Sequence, residues 1–581
     1  MTDTSPRIAP HLAHWPRRLP REVVIPETSL WFNLEVSARR HPDKAAYIFF
    51  GRVLTFGQLH QQAEALAGWL QSEAGVQRGD RVCVYMQNCP QFIVAVYAVL
   101  RADAVVVPVN PMNKADEFTH YIVDPEARAA ITTADLAANV VRANQALPEA
   151  QRLRAVLVTR FADALPPLGA DGSFVADEQP TAAIRDWLLA EHPLPEGCTR
   201  WSAAVAAGHA PGPHRAQADD LALLPYTSGT TGLPKGCMHS HRTMMSNVIG
   251  GALWGQANAA TVTLGVVPMF HITGMSAIVL TAVYAACTVV LMPRWDRELA
   301  ARLIARYRAS SWICIPTMVI DLFGSPNYQS FDLSSLVQVS GGGAAMPHAV
   351  AQRLRDEFGI TFQEGYGLTE TAAPSHHNPP ERAKLQCLGI PYFGTDSRVV
   401  DPLTLQEMPV GESGEIVTHG PMVFKGYWRH PEATAQAFVE IDGKPFIRTG
   451  DMGRMDEEGY FFMTDRLKRM INASGFKVWP SEVELMLFKC PLIQEACVIA
   501  ARDDYRGETV KAVIVPRAGV DAKPQDIIDW AREHMAAYKV PRIVEFTDAL
   551  PKSGSGKVMW RLLQEQEYEP SREQAGKGAG G

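Results

Sequence analysis

The amino-acid sequence predicts an α/β protein with a large N-terminal domain and a small C-terminal one. Strand-like and helix-like runs alternate over residues 54–109, and the same alternation returns over residues 221–362. Such alternation is typical of parallel sheets covered by helices, so we predict two parallel-sheet α/β subdomains. Over residues 386–465, glycines and prolines separate short strands with no long helical run, which favours a β-barrel-like subdomain.

Each element of this prediction depends on the spacing of its apolar residues. In the first stretch, LTFGQLHQQAEALAGWLQ and PQFIVAVYAVLRA have helical spacing, whereas RVCVYMQ and AVVVPVN are typical of buried strands. After Asp465, the helices SEVELMLFK and PQDIIDWAREHMAA and the strands EACVIAA and KAVIVPR indicate a compact α+β unit. We therefore predict an N-terminal domain of residues 1–465 and a C-terminal domain of residues 466–570. The tail, residues 571–581, has no apolar period and is expected to be disordered.

Composition and charge narrow the class of protein. A chain of 581 residues exceeds what one hydrophobic core can hold, and its 47% hydrophobic and 20% charged residues are ordinary for a globular protein. The net charge of −7 argues against nucleic-acid binding. The nine cysteines form no CxxC pair and no zinc-ligand spacing, which fits a reducing compartment.

One apolar run could belong either to a membrane or to a protein core. Residues 275–292, MSAIVLTAVYAACTVVLM, carry no charge and approach the length of a membrane span. The second half is β-branched and runs into Pro293, so we predict a buried helix followed by a buried strand. The first 24 residues contain no apolar stretch typical of a secretory signal. We therefore expect a cytoplasmic protein without a transmembrane segment.

The most informative motif is the run YTSGTTGLPKG at residues 226–236. Glycine permits the positive backbone angles that turn successive amide N–H groups toward one side, and such a concave nest binds anions. The neighbouring hydroxyls and a lysine add donors and positive charge. The GxxxxGK[ST] pattern of P-loop NTPases is absent. We predict a polyphosphate-binding loop formed by Thr227, Ser228, Gly229, Thr230, Thr231, Gly232 and Lys235.

This run resembles the signature of the adenylate-forming superfamily, which includes acyl- and aryl-CoA synthetases, luciferases and adenylation domains. The resemblance extends from about residue 31 to about residue 565 and is greatest to bacterial medium- and long-chain fatty acyl-CoA synthetases. It implies an ATP-dependent ligase that converts a carboxylic acid into its acyl-adenylate and then passes the acyl group to coenzyme A. The implied substrates and cofactors are ATP, Mg²⁺, CoA and a medium- to long-chain fatty acid.

The motifs leave other members of the superfamily open. An acyl-AMP ligase that loads a carrier protein, a CoA ligase for an aryl or other non-fatty acid, and a luciferase-like enzyme would carry the same residues. A nucleotide-binding scaffold without catalysis is a further alternative. The resemblance is compatible with a homodimer and with peripheral membrane contact, and it implies no nucleic-acid partner.

The same resemblance implies roles for individual residues of the nucleotide site. The run QEGYGLTET, residues 363–371, matches the adenylate motif. In it, Tyr366 would stack on adenine, Thr369 would donate to the α-phosphate, and Glu370 would bind Mg²⁺. The remaining nucleotide contacts are implied for Gly342, Gly343, Gly365, Gly367, Asp451 and Arg466, the last two at the ribose.

In the C-terminal domain, the resemblance implies residues for both half-reactions. Lys557, in the run PKSGSGK, matches the lysine essential for adenylation. Lys468 matches the hinge about which the C-terminal domain turns, and Gly475 matches the glycine that admits the pantetheine arm of CoA. These assignments make the C-terminal domain a mobile lid.

An acyl pocket is expected in the N-terminal domain. In PMFHITGM, residues 268–275, the resemblance places His271 near the acyl carboxylate. Small residues and the lack of an obvious buried charge indicate an apolar, elongated acid. The pocket is assigned to Trp254, His271, Gly274, Met275 and Gly341.

One position departs from the family pattern in a way that concerns the backbone. Asp103 stands where the family usually has a glycine that ends a helix. Aspartate adopts the left-handed conformation less easily than glycine, so this change is expected to affect local stability rather than chemistry.

Overall fold

A computed structural model of the chain describes residues 9–169, 173–174, 178–227, 233–343, 345–466, 469–473, 476–478, 480–503, 507–552 and 558–568. The chain forms two compact units. Unit 1 comprises Met1–Ser397, Thr418–Ile447 and Glu458–Tyr460, and unit 2 comprises Arg398–Val417, Arg448–Glu457 and Phe461–Gly581. The tail predicted to be disordered, residues 571–581, lies outside the described residues.

Two sheets covered by helices form most of unit 1, which confirms the α/β class predicted from the alternating pattern. The strands of these sheets and of one small hairpin are β1 (Ala45–Phe49), β2 (Arg52–Thr55), β3 (Arg81–Tyr85), β4 (Val105–Val109), β5 (Ala127–Thr133), β6 (Ala155–Thr159), β7 (Thr199–Arg200), β8 (Leu221–Leu223), β9 (Tyr226–Thr227), β10 (Lys235–Gly236), β11 (His239–Ser240), β12 (Val262–Gly265), β13 (Thr288–Leu291), β14 (Ser311–Cys314), β15 (Gln338–Gly342), β16 (Gln363–Tyr366), β17 (His376–His377) and β18 (Ile390–Pro391).

The first sheet has seven strands in the order β11-β8-β4-β3-β5-β6-β7. Its strands are parallel except for β11, which is antiparallel to β8. The residues of β4, VVVPV, are buried at every position, as expected for a strand that is covered on both faces. The continuous valine run in the sequence therefore identified an interior strand.

The second sheet has nine strands in the order β18-β17-β16-β15-β14-β12-β13-β1-β2. The six strands from β16 to β1 are parallel, whereas β2, β17 and β18 run antiparallel to their neighbours. Residues of both sheets belong to one hydrophobic core, in which the helix Pro90–Arg101 is buried from Pro90 to Leu100.

Helices follow most strands of unit 1, and three more lie in unit 2. The α-helices are α1 (Leu30–Arg40), α2 (Phe56–Ser72), α3 (Pro90–Arg101), α4 (Ala115–Val123), α5 (Ala137–Gln145), α6 (Ala182–Leu189), α7 (Trp201–Ala206), α8 (His241–Trp254), α9 (Ile272–Gly274), α10 (Ala282–Tyr284), α11 (Arg297–Tyr307), α12 (Pro316–Phe323), α13 (His348–Phe358), α14 (Pro431–Ala437), α15 (Pro480–Leu487), α16 (Pro524–His534) and α17 (Trp560–Tyr568). Short 3₁₀ turns are Pro10–His14, Glu149–Gln151, Phe161–Ala164, Tyr328–Ser330 and Thr369–Thr371.

The uncharged run 275–292 forms the predicted helix and strand. A π-helical segment, Met275–Thr281, continues into α10, and β13 follows in the interior of the nine-stranded sheet. Across the described part of the chain, no helix combines the length and the apolarity needed to cross a bilayer.

Asp103 adopts the left-handed backbone conformation that its position requires, with φ of 59°. Its carboxylate accepts hydrogen bonds from the amides of Arg215 at 2.9 Å and Ala216 at 3.1 Å, and it lies 2.6 Å from the ring of His214. Burial alone would raise the pKa of Asp103, but His214 and the two amide donors outweigh burial and lower it. The departure from glycine therefore ties the end of α3 to the segment before β8.

Ten further strands follow β18 along the chain. They are β19 (Asp396–Val400), β20 (Gly414–His419), β21 (Phe438–Ile441), β22 (Lys444–Met455), β23 (Phe461–Arg466), β24 (Ile471–Ala473), β25 (Phe476–Val478), β26 (Ile493–Asp503), β27 (Gly507–Pro516) and β28 (Ile543–Phe546). The strands from β19 to β23 agree with the β-rich region predicted from the glycines and prolines, although β22, with 12 residues, is longer than the short strands expected there.

Unit 2 contains the compact α+β fold predicted after Asp465. Its sheet has the order β25-β24-β27-β26, and β28 pairs in parallel with β27. Helices α15 and α17 pack against β26, and α16 packs against β28. Unit 2 also includes residues 398–417 and 448–457, so it begins before the domain boundary predicted between residues 465 and 466. That boundary, as the limit of a mobile lid, stays a prediction.

Candidate functional site

The predicted phosphate loop is carried by a two-stranded hairpin. Strands β9 and β10 are antiparallel, and Thr227 lies opposite Lys235 at the point where the described chain meets the loop. The hairpin is fixed to the residue that follows α4, because the Tyr226 hydroxyl donates to Asp124 at 2.5 Å. Ser228, Gly229, Thr230, Thr231 and Gly232 lie outside the described residues.

A segment distant in sequence pairs with the strand that leaves this hairpin. Cys237 forms an antiparallel bridge with Tyr427, and the amide of Met238 donates to Gly426 at 2.9 Å. The amide of Phe424 donates to the carbonyl of Glu370 at 2.8 Å. The hairpin and the predicted metal-binding residue are therefore held together by one stretch of chain.

Tyr427 joins two predicted site residues directly. Its hydroxyl donates to Oε1 of Glu370 at 2.8 Å, and Nζ of Lys235 lies 5.4 Å from the centre of its ring. Burial and the neighbouring Glu370 raise the pKa of Tyr427, so the hydroxyl keeps its proton and remains a donor. Sequence reasoning missed this residue, because nothing local marks the run FKGYW as a neighbour of the phosphate loop.

The residues at this position fit the Mg²⁺ role predicted for Glu370. A carboxylate oxygen is the hard ligand that Mg²⁺ prefers, and Mg²⁺ typically binds one or two carboxylates together with substrate phosphates. Within the residues that the structure describes, no cluster of three or more histidine, cysteine, aspartate or glutamate side chains could hold a metal alone. The fit therefore depends on oxygens from the nucleotide.

Thr369 is positioned through its backbone. It begins the 3₁₀ turn Thr369–Thr371, and its carbonyl oxygen lies 2.8 Å from Nε2 of the buried His239. Burial lowers the pKa of His239 to about 4, so the ring is neutral near pH 7. Because a carbonyl only accepts, Nε2 carries the ring proton and donates it.

The predicted glycines lie on two neighbouring parallel strands, where they pack against the backbone. Gly342 of β15 lies opposite Gly365 of β16. A Cβ atom on Gly341 would lie 1.8 Å from the carbonyl oxygen of Cys314, and one on Gly342 would lie 2.3 Å from that of Gly365. Within the described residues these two glycines are therefore required by the close approach of neighbouring strands. Gly343 ends the run with φ of 85°.

The predicted adenine platform is ordered by a reversal of the chain. Tyr366 ends β16 and pairs with His376 of β17, and their ring centres are 5.6 Å apart. Gly367 leaves room for this return, since a Cβ atom there would lie 2.9 Å from Ala373. Tyr366 itself is buried.

A second residue that sequence reasoning missed is Glu364, between the predicted Gly365 and β16's first residue. Its buried carboxylate accepts from the amide of Gln386 at 2.9 Å and, at 3.4 Å, from that of Met346. Burial raises the pKa of Glu364 to about 7. This side chain holds the segment after β15 and the Gln386 turn against the strand that carries Tyr366.

The predicted acyl-pocket residues lie on three parts of unit 1. Trp254 ends α8, Gly341 lies on β15, and His271, Gly274 and Met275 lie around α9 and the start of the π-helical segment. Nδ1 of His271 accepts from the amide of Thr273 at 3.3 Å, and buried Met275 begins the π-helical segment. Gly274 is required by packing, because a Cβ atom there would lie 2.2 Å from the carbonyl of Pro268. The π-helical segment packs against α8, which ends at the buried Trp254.

Asp451 and Arg466 belong to unit 2 and lie opposite each other on antiparallel strands β22 and β23. The amide of Asp451 donates to Oγ1 of Thr449 at 3.1 Å, and that hydroxyl donates to the carbonyl of Ile416 at 2.6 Å. These bonds fix the turn that carries the predicted ribose ligand. Lys468, Gly475 and Lys557 lie outside the described residues.

Two family models match most of the chain. The family model described as "AMP-binding enzyme" matches residues 34–428, and "AMP-binding enzyme C-terminal domain" matches residues 482–557. The long-chain-fatty-acid–CoA ligase of Bacillus subtilis (strain 168) is 35% identical over 570 residues, which covers 96% of this chain and 98% of that protein. The feruloyl-CoA synthase of an Amycolatopsis species is 34% identical over 525 residues, covering 90% and 96%.

A solved structure shares the whole fold. The crystal structure of ATP-bound MatB from Rhodopseudomonas palustris superposes with a TM-score of 0.77 at 27% identity, covering 93% of this chain and 99% of that one. The two matched ranges include residues of both units, and they contain the predicted phosphate-loop, adenylate-motif and acyl-pocket residues together with Lys557. The chain belongs to the AMP-binding enzyme family, the adenylate-forming enzymes whose signature its phosphate loop resembles.

Proposed function

We propose that this protein is an ATP-dependent acyl-CoA ligase that activates a carboxylic acid as its acyl-adenylate and transfers the acyl group to CoA. The observation that carries the proposal is the arrangement of Lys235, Tyr427 and Glu370 at the base of the phosphate loop. It brings a cation and a metal-binding carboxylate to one end of a hydroxyl-rich loop. The near-complete coverage of two relatives, one named as a CoA ligase and one as a CoA synthase, supports the same reaction.

The chemistry explains why a phosphate site is needed. A carboxylate reacts poorly with nucleophiles, because it is negatively charged and because its oxygen is a poor leaving group. When the carboxylate attacks the α-phosphate of ATP, a bond forms between the acid oxygen and phosphorus, and pyrophosphate leaves. AMP then serves as the leaving group when the CoA thiol attacks the acyl carbon. The protein's task is to position the reactants and to neutralise developing negative charge.

Residues of unit 1 would hold the phosphates of ATP in the first step. Lys235 would hold the phosphates, and Glu370, oriented by Tyr427, would hold Mg²⁺. Mg²⁺, when bound, supplies charge neutralisation on the phosphate oxygens. Thr369, whose backbone is fixed by His239, would donate its hydroxyl to the α-phosphate.

His271 would orient the acid. The amide of Thr273 donates to Nδ1 of His271, so Nε2 is the ring nitrogen that would carry the donated hydrogen. We propose that this N–H donates to one carboxylate oxygen and leaves the other to attack phosphorus. Asp451 and Arg466 would hold the ribose, and Tyr366 would contact the adenine.

The lid residues complete the proposal. Lys557 would stabilise the adenylation transition state, Lys468 would act as the hinge, and Gly475 would admit pantetheine for the second step. Their roles rest on the family resemblance. A direct test is Lys557→Ala, for which adenylation should fall on the order of 100-fold or more, the size of losing one strong charge-stabilising group. Thioester formation from supplied acyl-AMP should be largely retained; an equal loss in both half-reactions would contradict the lid.

We propose a medium- to long-chain fatty acid as the substrate. The two relatives with fatty-acid and feruloyl names have similar identities, so an aryl acid is the competing candidate. The deciding experiment is a panel of fatty acids of graded length together with ferulate, assayed with ATP and CoA by AMP release. A fatty-acid optimum supports the proposal, whereas a ferulate optimum replaces the substrate. No AMP release and no ATP–pyrophosphate exchange with any acid would refute the ligase itself.

A further inference from the structure

The N-terminal segment before α1 places an indole ring in the interior of unit 1. Trp15 is only 8% exposed, and its ring meets the rings of Trp254 and Phe393 edge-on, with centres 5.2 Å apart in both pairs. Nε1 of Trp15 donates to the carbonyl of Pro20 at 3.1 Å, so the ring's polar edge is satisfied within its own segment. The rest of the ring is available for apolar contact.

Trp15 completes a cluster of four rings that we call the aromatic wall: Trp15, Trp254, Tyr392 and Phe393. Trp254 lies 5.1 Å from Tyr392 and 5.6 Å from Phe393 between ring centres. A glycine inside α8 makes room for the wall, because a Cβ atom on Gly250 would lie 2.5 Å from Cε1 of Tyr392. Glycine is less favourable than alanine within a helix, so packing of the wall outweighs helix propensity there.

The aromatic wall is one side chain away from the strand of the adenylate motif. The ring of His377 lies 6.0 Å from that of Trp254, and a Cβ atom on Gly365 would lie 3.0 Å from Cδ2 of the same histidine. Tyr366 follows Gly365 on β16. The aromatic wall therefore lies next to the strand of the adenylate motif, and it shares Trp254 with the predicted acyl pocket.

We propose that Trp15 forms the outer part of the end wall of the acyl pocket and so limits the length of the acid. This inference rests on the proposed function, since it assigns a specificity-determining residue to that reaction. Trp254 is fixed by its own hydrogen bond from Nε1 to the carbonyl of Asn378 at 2.9 Å. Trp15 belongs to the N-terminal segment before α1. If it is the outer part of the end wall, this segment determines how far the pocket extends.

The test is the variant Trp15→Ala, assayed on the graded acid panel. Removing the indole leaves an apolar cavity beside Trp254, and such cavities stay dry and accept apolar ligands. Each methylene that enters it should raise kcat/KM about fourfold relative to the preceding acid, from the free energy of burying one methylene group. We compare kcat/KM for an acid two methylenes longer than the wild-type optimum with kcat/KM for the optimal acid. This ratio should be about tenfold or more higher in Trp15→Ala than in the wild type.

Two further variants keep the inference open to refutation. His14→Ala removes the neighbouring contacts of the segment with Arg382 at 2.6 Å and Glu458 at 3.5 Å but leaves all four rings, so the length profile should not move. If Trp15→Ala does not fold, Trp15→Phe keeps a smaller ring and should produce a smaller shift in the same direction.

The outcomes separate the two proposals. An unchanged profile in the folded variant, an equal change for every acid, or the same shift in His14→Ala would overturn the role of Trp15. A wild-type enzyme that forms no acyl-CoA from any acid would instead refute the proposed function. Greater activity of Trp15→Ala on longer acids, with an unmoved profile in His14→Ala, would support the end wall.

Discussion

Removal of the Tyr427 hydroxyl tests whether this residue supports the charge of Glu370. In Tyr427→Phe the ring below Lys235 remains, and only the donor at 2.8 Å from Oε1 of Glu370 is lost. A hydrogen bond to a charged group contributes about 1.5–3 kcal/mol. If this bond orients the carboxylate that holds Mg²⁺, adenylation should fall about 10- to 150-fold, since each 1.4 kcal/mol is a factor of ten.

The assay is ATP–pyrophosphate exchange at a series of Mg²⁺ concentrations. The variant should need more Mg²⁺ for half-maximal rate, because the carboxylate ligand has lost its orienting donor. A double-mutant cycle with Glu370→Gln should give a coupling energy of about 1.5–3 kcal/mol, the size of the lost bond.

Tyr460→Phe is the matched control. Tyr460 is buried, whereas Tyr427 is half-buried, and the Tyr460 hydroxyl donates at 2.8 Å to the carbonyl of Arg382, a neutral acceptor outside the hairpin region. Exchange in this variant should stay within about twofold of wild type, since the lost bond is to a neutral group. If Tyr427→Phe also stays within that range while Glu370→Gln loses activity, the reasoning about Tyr427 is wrong.

Three further predictions concern other parts of the fold. Burial lowers the pKa of His239 from 6.5 to about 4, so between these pH values the ring is protonated in the unfolded chain and neutral in the folded one. The stability from this group is complete above pH 6.5 and falls toward pH 4 by about 1.4 kcal/mol per pH unit; His239→Gln should remove that slope in urea unfolding. Gly341→Ala should destabilise by about 1–3 kcal/mol or more through its clash with Cys314, whereas Gly212→Ala, with 3.6 Å of clearance, should stay within about 0.5 kcal/mol in thermal unfolding. Gly475→Leu should slow thioester formation more than pyrophosphate exchange, and the reverse order would reject its place in the CoA path.

The sequence predicted those features that depend on local pattern. The valine run of β4 and the change from a helical to a β-branched pattern within residues 275–292 are both visible in consecutive residues. The strand and the helix could therefore be predicted correctly. The hairpin base could also be anticipated in part, because Thr227 and Lys235 flank one glycine-rich run.

What the sequence did not reveal depends on pairing between distant segments. Tyr427 reaches Glu370 only because residues 424–428 pair beside the strand after Lys235, and no local signal encodes that pairing. Glu364 would pass for a spacer in the adenylate motif until its buried amide partners are known. Gly341 was predicted as part of the acyl pocket, and the sequence did not reveal that the carbonyl of Cys314 on the neighbouring strand already requires a glycine there.

Asp103 shows how a poorer backbone residue can serve the fold better. Replacing it with glycine would relax the left-handed turn at the end of α3, a change that usually favours stability. The same replacement would release the amides of Arg215 and Ala216 and the ring of His214 from their common acceptor. The segment that leads into β8 would then keep the bond from Arg101 of α3 to the carbonyl of Gly212 but lose its attachment to Asp103 at the end of that helix. The position of the chain that leads to the predicted phosphate loop therefore depends in part on the carboxylate of Asp103, which a glycine cannot provide.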